Sequence, residues 1–387
     1  MSGIEPGAPA GLLRGALDGL VPYEPGKPVE EVQRELGLER VVKLASNEGP
    51  FGPFPAALAA IARAASELNR YPDGGCFRLR AALAEQHDVG LEEVAVCAGA
   101  DAVIGCVCQA SLDSGDEVVT GWPSFVTYVL DPLKLGAVPV RVPLRDDRFD
   151  LDALLDAITP RTKLVFVATP NNPTGTMTTR AELDAYFDRV PEHVLTVLDQ
   201  AYFEYVDDPD YPDAIAEYAK RGRRVLVLRT FSKIFGLAGL RVGYGIGPAE
   251  VITAIGKVRR PFDVGTPAQE AALASLDDAA ELARRRAVNR EAMASLHAVL
   301  AATGFAPAGP AVANFVFVEV GDAASLADAL LREGVIVRPM APFGAAGALR
   351  ITAGTPDEIA VLGDALARIA GPQIESSQER ALDRESP

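Results

Sequence analysis

Cysteine is scarce: of 387 residues only four are Cys, and Cys76, Cys97, Cys106 and Cys108 all fall in the first third. No disulfide framework can staple the rest of such a chain. Cys106 and Cys108 lie within the apolar run Ala102 to Leu112, where small-side-chain packing is the better reading than zinc. Histidine is scarcer still, and His87, His193 and His297 have no metal-ligand spacing, so no metal is expected. Positive charge is also in deficit: Lys+Arg 37 against Asp+Glu 53 gives a net charge of −16. The average surface then repels phosphate backbones and anionic lipid heads, which disfavours nucleic-acid and membrane partners. No stretch approaches the ~18 apolar residues of a membrane helix. Residues 1–15 lack a basic start followed by a long apolar core, which leads us to expect a cytoplasmic protein with reduced thiols. A nucleotide-hydrolysing loop of the form G-x-x-x-x-G-K-[ST] is missing, and Gly243 to Gly247 (GYGIG) lacks the glycine spacing of a dinucleotide fingerprint.

What remains is a chain rich in apolar residues (49%) and punctuated by 35 Gly and 29 Pro, the profile of a folded globule. At about 150 residues per domain it has room for two or three. Short β-branched runs alternate with helical segments, which predicts an α/β fold. The runs are Val94–Cys97, Glu117–Thr120, Ala137–Val142, Lys163–Ala168, Val194–Leu198, Val225–Leu228 and Val242–Ile246. Their continuous hydrophobicity suits strands covered by helices on both faces, hence a mostly parallel central sheet. A helix is predicted over Pro55–Asn69, and one long helix over Pro267–Ala302 linking to a smaller α+β unit. That unit comprises Phe315–Val320, a helix Ala323–Glu333, Val335–Val337, Leu349–Thr352 and a last helix Pro356–Ile369. The expected organisation is an N-terminal arm (1–40) packing with the small domain, a large domain (41–270), a small domain (271–371) and a disordered tail (372–387).

Chemistry concentrates where strands end. The segment Val225 to Gly245 runs from an apolar strand into Thr230, Ser232 and Lys233, with Arg241 eight residues on. Hydroxyls and a guanidinium around one lysine make an anion-binding corner that also helps keep the amine nucleophilic, so a Schiff-base lysine beside a phosphate site is the natural reading. Asp199 closes the strand before Gln200-Ala201-Tyr202, where it either caps the next turn or faces a ligand at the edge where open α/β sheets place them. Asn171-Asn172-Pro173-Thr174-Gly175 forces a turn after another strand and aims an amide off the sheet edge. Gly99-Ala100-Asp101 opens a helix, with Asp101 either its N-cap or beside free N–H groups that suit a phosphate.

The set GAD, WPSF, NNPTG, DQAY, SK and R resembles, in order and spacing, the pyridoxal-phosphate-dependent aminotransferases of fold type I. Within them it is most similar to the histidinol-phosphate aminotransferases. The resemblance covers about residues 20 to 370 and includes YEPGKP (Tyr23 to Pro28), KLASNEGPFGP (Lys43 to Pro53), RYPDG (Arg70 to Gly74), ANF (Ala313 to Phe315) and LRITAGT (Leu349 to Thr355).

The resemblance implies pyridoxal 5′-phosphate as cofactor and a role for each matching residue. Lys233 would hold the cofactor through its ε-amine and shuttle a proton, while Asp199 would pair with the pyridine nitrogen. Asn172 and Tyr202 would hydrogen-bond the ring's phenolic oxygen, and Phe125 would stack on its face. Ser232, Arg241, Thr230 and the backbone at Ala100 and Asp101 would hold the phosphate. Tyr71 would reach that phosphate from a neighbouring subunit, which implies a homodimer. Arg350, Arg338 and Tyr23 would meet substrate anions, with Asn47 lining the pocket. The implied activity is amino transfer between L-glutamate and imidazole acetol phosphate in histidine synthesis. The same scaffold also serves aromatic amino acid aminotransferases and decarboxylases of phosphorylated amino acids. A ligand-binding regulator on this fold would carry a DNA-binding module and is disfavoured. Two positions depart from the family: Ala102 stands where an acidic residue is common, and Gly49 where asparagine is usual.

Overall fold

The computed structural model describes residues 11–21, 26–305, 307 and 309–382, with side chains through 369. Its strands are β1 (Val42–Lys43), β2 (Val94–Cys97), β3 (Glu117–Trp122), β4 (Val138–Pro143), β5 (Thr162–Ala168), β6 (Leu195–Asp199), β7 (Val225–Thr230), β8 (Gly243–Ile246), β9 (Phe315–Glu319), β10 (Val335–Ile336), β11 (Arg338–Pro339) and β12 (Ala348–Thr352). Its helices are α1 (Val29–Leu36), α2 (Pro55–Ala64), α3 (Phe77–His87), α4 (Ala100–Ser111), α5 (Thr127–Leu135), α6 (Leu151–Asp156), α7 (Arg180–Phe187), α8 (Ala249–Val258), α9 (Thr266–Leu276), α10 (Ala279–Ala302), α11 (Ala323–Arg332) and α12 (Pro356–Leu382).

The seven runs read as strands form one sheet in the order β2-β8-β7-β6-β5-β3-β4. Only β8 runs against its neighbours; the pairs among β3 to β7 are all parallel. Every residue of β6 and β7 is buried, as expected of strands with helices on both faces. The reversal of β8 matters for the site. It brings the chain back from the end of β7 to the same sheet edge, with Thr230 and Cys97 both in register with Gly243. The ends of β5, β6 and β7, the start of β8 and the N-terminus of α4 therefore converge.

A second apolar cluster, built from Leu296 and Leu300 of α10, Val316 and Val318 of β9, Leu330 of α11 and Leu362 and Leu366 of α12, lies beneath a three-stranded antiparallel sheet, β11-β12-β9. Val42 and Leu44 pack in this cluster because β1 pairs with β10. From the arm, Val32 of α1 is buried against Ala45 and Ile336, while residues 15–17 lie against α5.

Three expectations change. The predicted helix over Pro267–Ala302 is two helices, because Asp278 caps α10 by accepting the N–H of Glu281 at 3.0 Å. Buried residues of α9 join the larger core and those of α10 the smaller one. The run Val335–Val337 divides: Val335–Ile336 pairs with β1, and after Val337 the next two residues pair with β12. Residues 372–382, expected as part of a disordered tail, continue α12, since Glu, Gln, Arg, Ala and Leu there are good helix formers. Among the described residues no helix is long and apolar enough to cross a membrane.

Candidate active site

At the convergent sheet edge lies a cavity of about 200 Å³. Asn47, Ala100, Asp101, Phe125, Asn172, Asp199, Tyr202, Thr230, Ser232, Lys233, Arg241, Arg338 and Arg350, all singled out in the sequence, line it.

Lys233 sits in the loop after β7 with Nζ 3.4 Å from the carbonyl of Ser46 and 5.5 Å from the Tyr202 ring centre. Burial, reinforced by the guanidinium groups of Arg350 and Arg241 and opposed by Glu48, lowers its ammonium to about 8. Asp199 ends β6 and is 7% exposed. Burial pushes its carboxyl above the usual range, while the Tyr128 hydroxyl, donating at 2.7 Å, and the N–H of Ala201, at 2.9 Å, work the other way. Tyr202 accepts from Asn47 Nδ2 at 2.9 Å, and burial pushes its phenol up to about 12 despite Arg350 and that donation. The hydroxyl thus keeps its proton at neutral pH.

An anion cradle forms beside the lysine. Ser232 donates its N–H to Thr230 Oγ1 at 3.1 Å, and Arg241 turns back toward Ser232 Oγ, 3.5 Å away. Gly99 precedes α4 at φ +94°, and a Cβ there would come within 2.8 Å of the Arg241 guanidinium. At Gly243 a Cβ would collide with the Ala100 nitrogen. Both glycines allow the arginine and the helix N-terminus to face one small volume, which suits a phosphate.

The opposite wall comes from the smaller sheet. Arg350 donates to Asn172 Oδ1 and, at 2.6 Å, to the carbonyl of Ala45. Asn172 is available because its neighbour Asn171 holds the turn, accepting from Ser124 Oγ at 2.8 Å and donating to Thr174 Oγ1 at 3.0 Å. Asn47, at φ +55°, is fixed by Thr352, which receives its N–H at 3.0 Å, and by Asn314, which donates to its carbonyl at 3.2 Å.

Two sequence candidates are not among these lining residues, for different reasons. Tyr71 is 83% exposed and stacks on Phe262 with ring centres 4.9 Å apart, away from the cavity of its own chain. Tyr23 lies outside the described residues. Conversely, Tyr128 and Phe343 line the cavity without having been singled out. Tyr128 follows Phe125 by three residues, a spacing that puts both on one side of a turn; its hydroxyl in an apolar run was the available signal. Of the two departures, Gly49 places a would-be Cβ 3.4 Å from the Lys233 carbonyl. Ala102, half-buried against the large core, lines a separate cavity with Arg259 and Asp263.

Residues 39–366 match the family model for aminotransferase class I and II. A histidinol-phosphate aminotransferase from Moorella thermoacetica is 45% identical over 353 residues, 91% of either chain. An aromatic amino acid aminotransferase from Thermobifida fusca is 46% identical over 348 residues, covering 89% of this chain and 94% of the relative. The crystal structure of histidinol-phosphate aminotransferase from Sinorhizobium meliloti in complex with pyridoxal-5′-phosphate superposes with a TM-score of 0.84 at 29% identity, over 94% of this chain and 98% of the other. A cavity that unites a lysine of lowered basicity, a buried carboxylate and an anion cradle, in a chain matched over most of its length, leads to one conclusion: the protein belongs to the aminotransferase class I and II family.

Proposed function

We propose that this chain is a histidinol-phosphate transaminase. It exchanges the amino group between L-glutamate/2-oxoglutarate and imidazole acetol phosphate/L-histidinol phosphate with pyridoxal 5′-phosphate, in a ping-pong cycle of histidine synthesis. The observation that carries the reading is the pairing, in one cavity, of the Lys233–Asp199–Arg241 set with two further arginines on the facing wall.

The residues fit the cofactor by their donor chemistry. Asp199 is a buried carboxylate with a hydroxyl and an amide as its hydrogen-bond partners, and a protonated ring nitrogen would offset the cost of its burial. The cradle at Ser232, Thr230, Arg241, Ala100 and Asp101 offers hydroxyl, guanidinium and helix N–H donors for a phosphate. When bound, pyridoxal phosphate supplies an aldehyde that combines with amines and a ring that draws electrons from the substrate's α-carbon.

The protein's own groups do the rest. Asp199 would hold a proton on the ring nitrogen, and Tyr128, donating to that carboxylate, would keep it aimed and ionised. Asn172 and Tyr202 would donate to the phenolic oxygen, and Phe125 would cover the ring face. Lys233 Nζ, its basicity lowered by burial and by the neighbouring guanidinium groups, would take the substrate's α-proton and return it. Arg350, Arg338 and Tyr23 receive the substrate's anionic groups, with Asn47 beside them. We further propose a cytoplasmic homodimer in which the exposed Tyr71 enters the neighbour's site; a large aromatic 83% exposed supports that assignment.

The test is turnover of L-histidinol phosphate with 2-oxoglutarate, followed as imidazole acetol phosphate, beside the same assay with phenylalanine. A kcat/KM at least about tenfold higher for histidinol phosphate is expected. The 46% identity to an aromatic amino acid aminotransferase favours a second reading, which equal or reversed rates would establish. Carbon dioxide release without a keto acid would instead mark a decarboxylase, and activity surviving Lys233→Ala would exclude a lysine-dependent transaminase.

A further inference from the structure

Arg338 and Arg350 are direct partners across β11 and β12, so both side chains leave the hairpin on the same face. Two guanidinium groups held together repel, more so away from bulk water. One aromatic ring meets both: the guanidinium carbon of Arg350 is 5.8 Å from the Phe343 ring centre and that of Arg338 is 5.9 Å from it. At this range a ring face attracts a cation. Phe343 is 2% exposed and lines the cavity.

Its position is fixed from behind. Phe343 belongs to the turn Ala341–Phe343 between the two strands, where its N–H meets the Met340 carbonyl at 2.9 Å. Gly344 follows at φ +88°, and a Cβ there would collide with the indole nitrogen of Trp122. The turn is therefore seated directly on the chain's single tryptophan. Val126, Phe317, Met340 and Ala348 complete the cluster around the ring.

We propose that Phe343 is a specificity-determining residue, whose ring holds Arg338 beside Arg350 as a double grip selective for a phosphate over a carboxylate. The inference rests on the transaminase reading and deepens it. A phosphate dianion has three terminal oxygens and accepts from two guanidinium forks at once, whereas one fork satisfies a carboxylate. A phosphorylated amino donor gains the second grip, and an ordinary amino acid does not.

The test compares kcat/KM for L-histidinol phosphate and phenylalanine in wild type, Phe343→Leu, Phe343→Tyr, Arg338→Gln and the Phe343→Leu/Arg338→Gln double variant. Phe343→Leu should lower the histidinol phosphate to phenylalanine ratio about tenfold, chiefly through KM. Phe343→Tyr, which keeps the ring, should hold it within about threefold of wild type, and the double variant should lie within about threefold of Arg338→Gln alone. An unchanged ratio in Phe343→Leu, or losses that multiply in the double variant, would overturn the proposal. Trp122 fluorescence of the holoenzyme, titrated with inorganic phosphate, reads the grip without turnover and reports whether each variant is folded. Phosphate affinity should fall about tenfold in Phe343→Leu, and an unaltered affinity also refutes the role. If the wild type shows no preference for histidinol phosphate, the functional reading fails by itself, and Phe343 is judged on the phosphate titration.

Discussion

Replacing Lys233 by methionine should make the cofactor-free protein more stable at neutral pH. The lysine sits at about 8 instead of its ordinary 10.5, so the fold holds a cation where it is disfavoured by burial and by two arginines. Each pKa unit corresponds to about 1.4 kcal/mol, which sets an upper bound of about 3 kcal/mol. Because Nζ faces the cavity, solvent screens part of this, and about 2 kcal/mol is the expected gain. The pH dependence fixes the sign. Between pH 8 and 10.5 the unfolded chain binds more protons than the folded one, so wild-type stability rises across that window, while the methionine variant lacks this contribution. Urea denaturation of the two apoproteins at pH 7 and pH 10 measures it: the variant should lead at pH 7, with the gap narrowing at pH 10. A variant that is less stable at both, or a gap independent of pH, would refute the account of how the amine is kept nucleophilic.

Tyr128→Phe removes one of two donors to Asp199 and should drive its carboxyl further up. A hydrogen bond to a charged group of about 2 kcal/mol predicts a loss of at least about tenfold in kcat, with the acid limb of the kcat–pH profile displaced to higher pH. Arg350→Lys loses the fork that reaches Asn172 and Ala45, and kcat/KM for glutamate should fall about a hundredfold. Glu204, whose Oε2 is buried without a hydrogen-bond partner, is held at about 7 by burial. Its raised value makes the fold lose stability as pH climbs from 4.5 through 7, so Glu204→Gln should stabilise the protein at pH 8, by up to about 3 kcal/mol, and not at pH 4.5, as read by urea midpoints.

Much of this was legible because strands covered on both faces have no polar alternation to confuse: β2 matches its run residue for residue, and β5 to β7 differ by one or two positions at their ends. Lys233, Asp199 and Arg241 were readable since each adjoins such a run, and the sheet edge does the gathering. The break at Asp277–Asp278 was harder to see, because two acidic residues inside an Ala-Glu-Leu-Arg stretch signal a cap only if the helix axis turns there. Phe343 was hidden for a different reason. Its importance comes from the register of Arg338 with Arg350 and from Gly344 meeting a tryptophan more than two hundred residues earlier, and neither is a local property. Tyr71 illustrates the limit of one chain: stacked on Phe262 at the surface, its expected place in a site requires a second copy.

The single reversed strand of the large sheet also bears on the order in which the site is assembled. Parallel neighbours need a crossover, so Asp199 and Lys233, on β6 and just after β7, are joined across 34 positions. Lys233 and Arg241 share the short loop 231–242 between antiparallel partners, and closing it costs about 1 kcal/mol less in chain entropy than the longer connection. In kinetic terms the lysine and Arg241 are expected to come together as a local nucleus. Amide exchange should find β7 and β8 protected early in refolding, with Lys233 and Arg241 in place before Asp199 joins them.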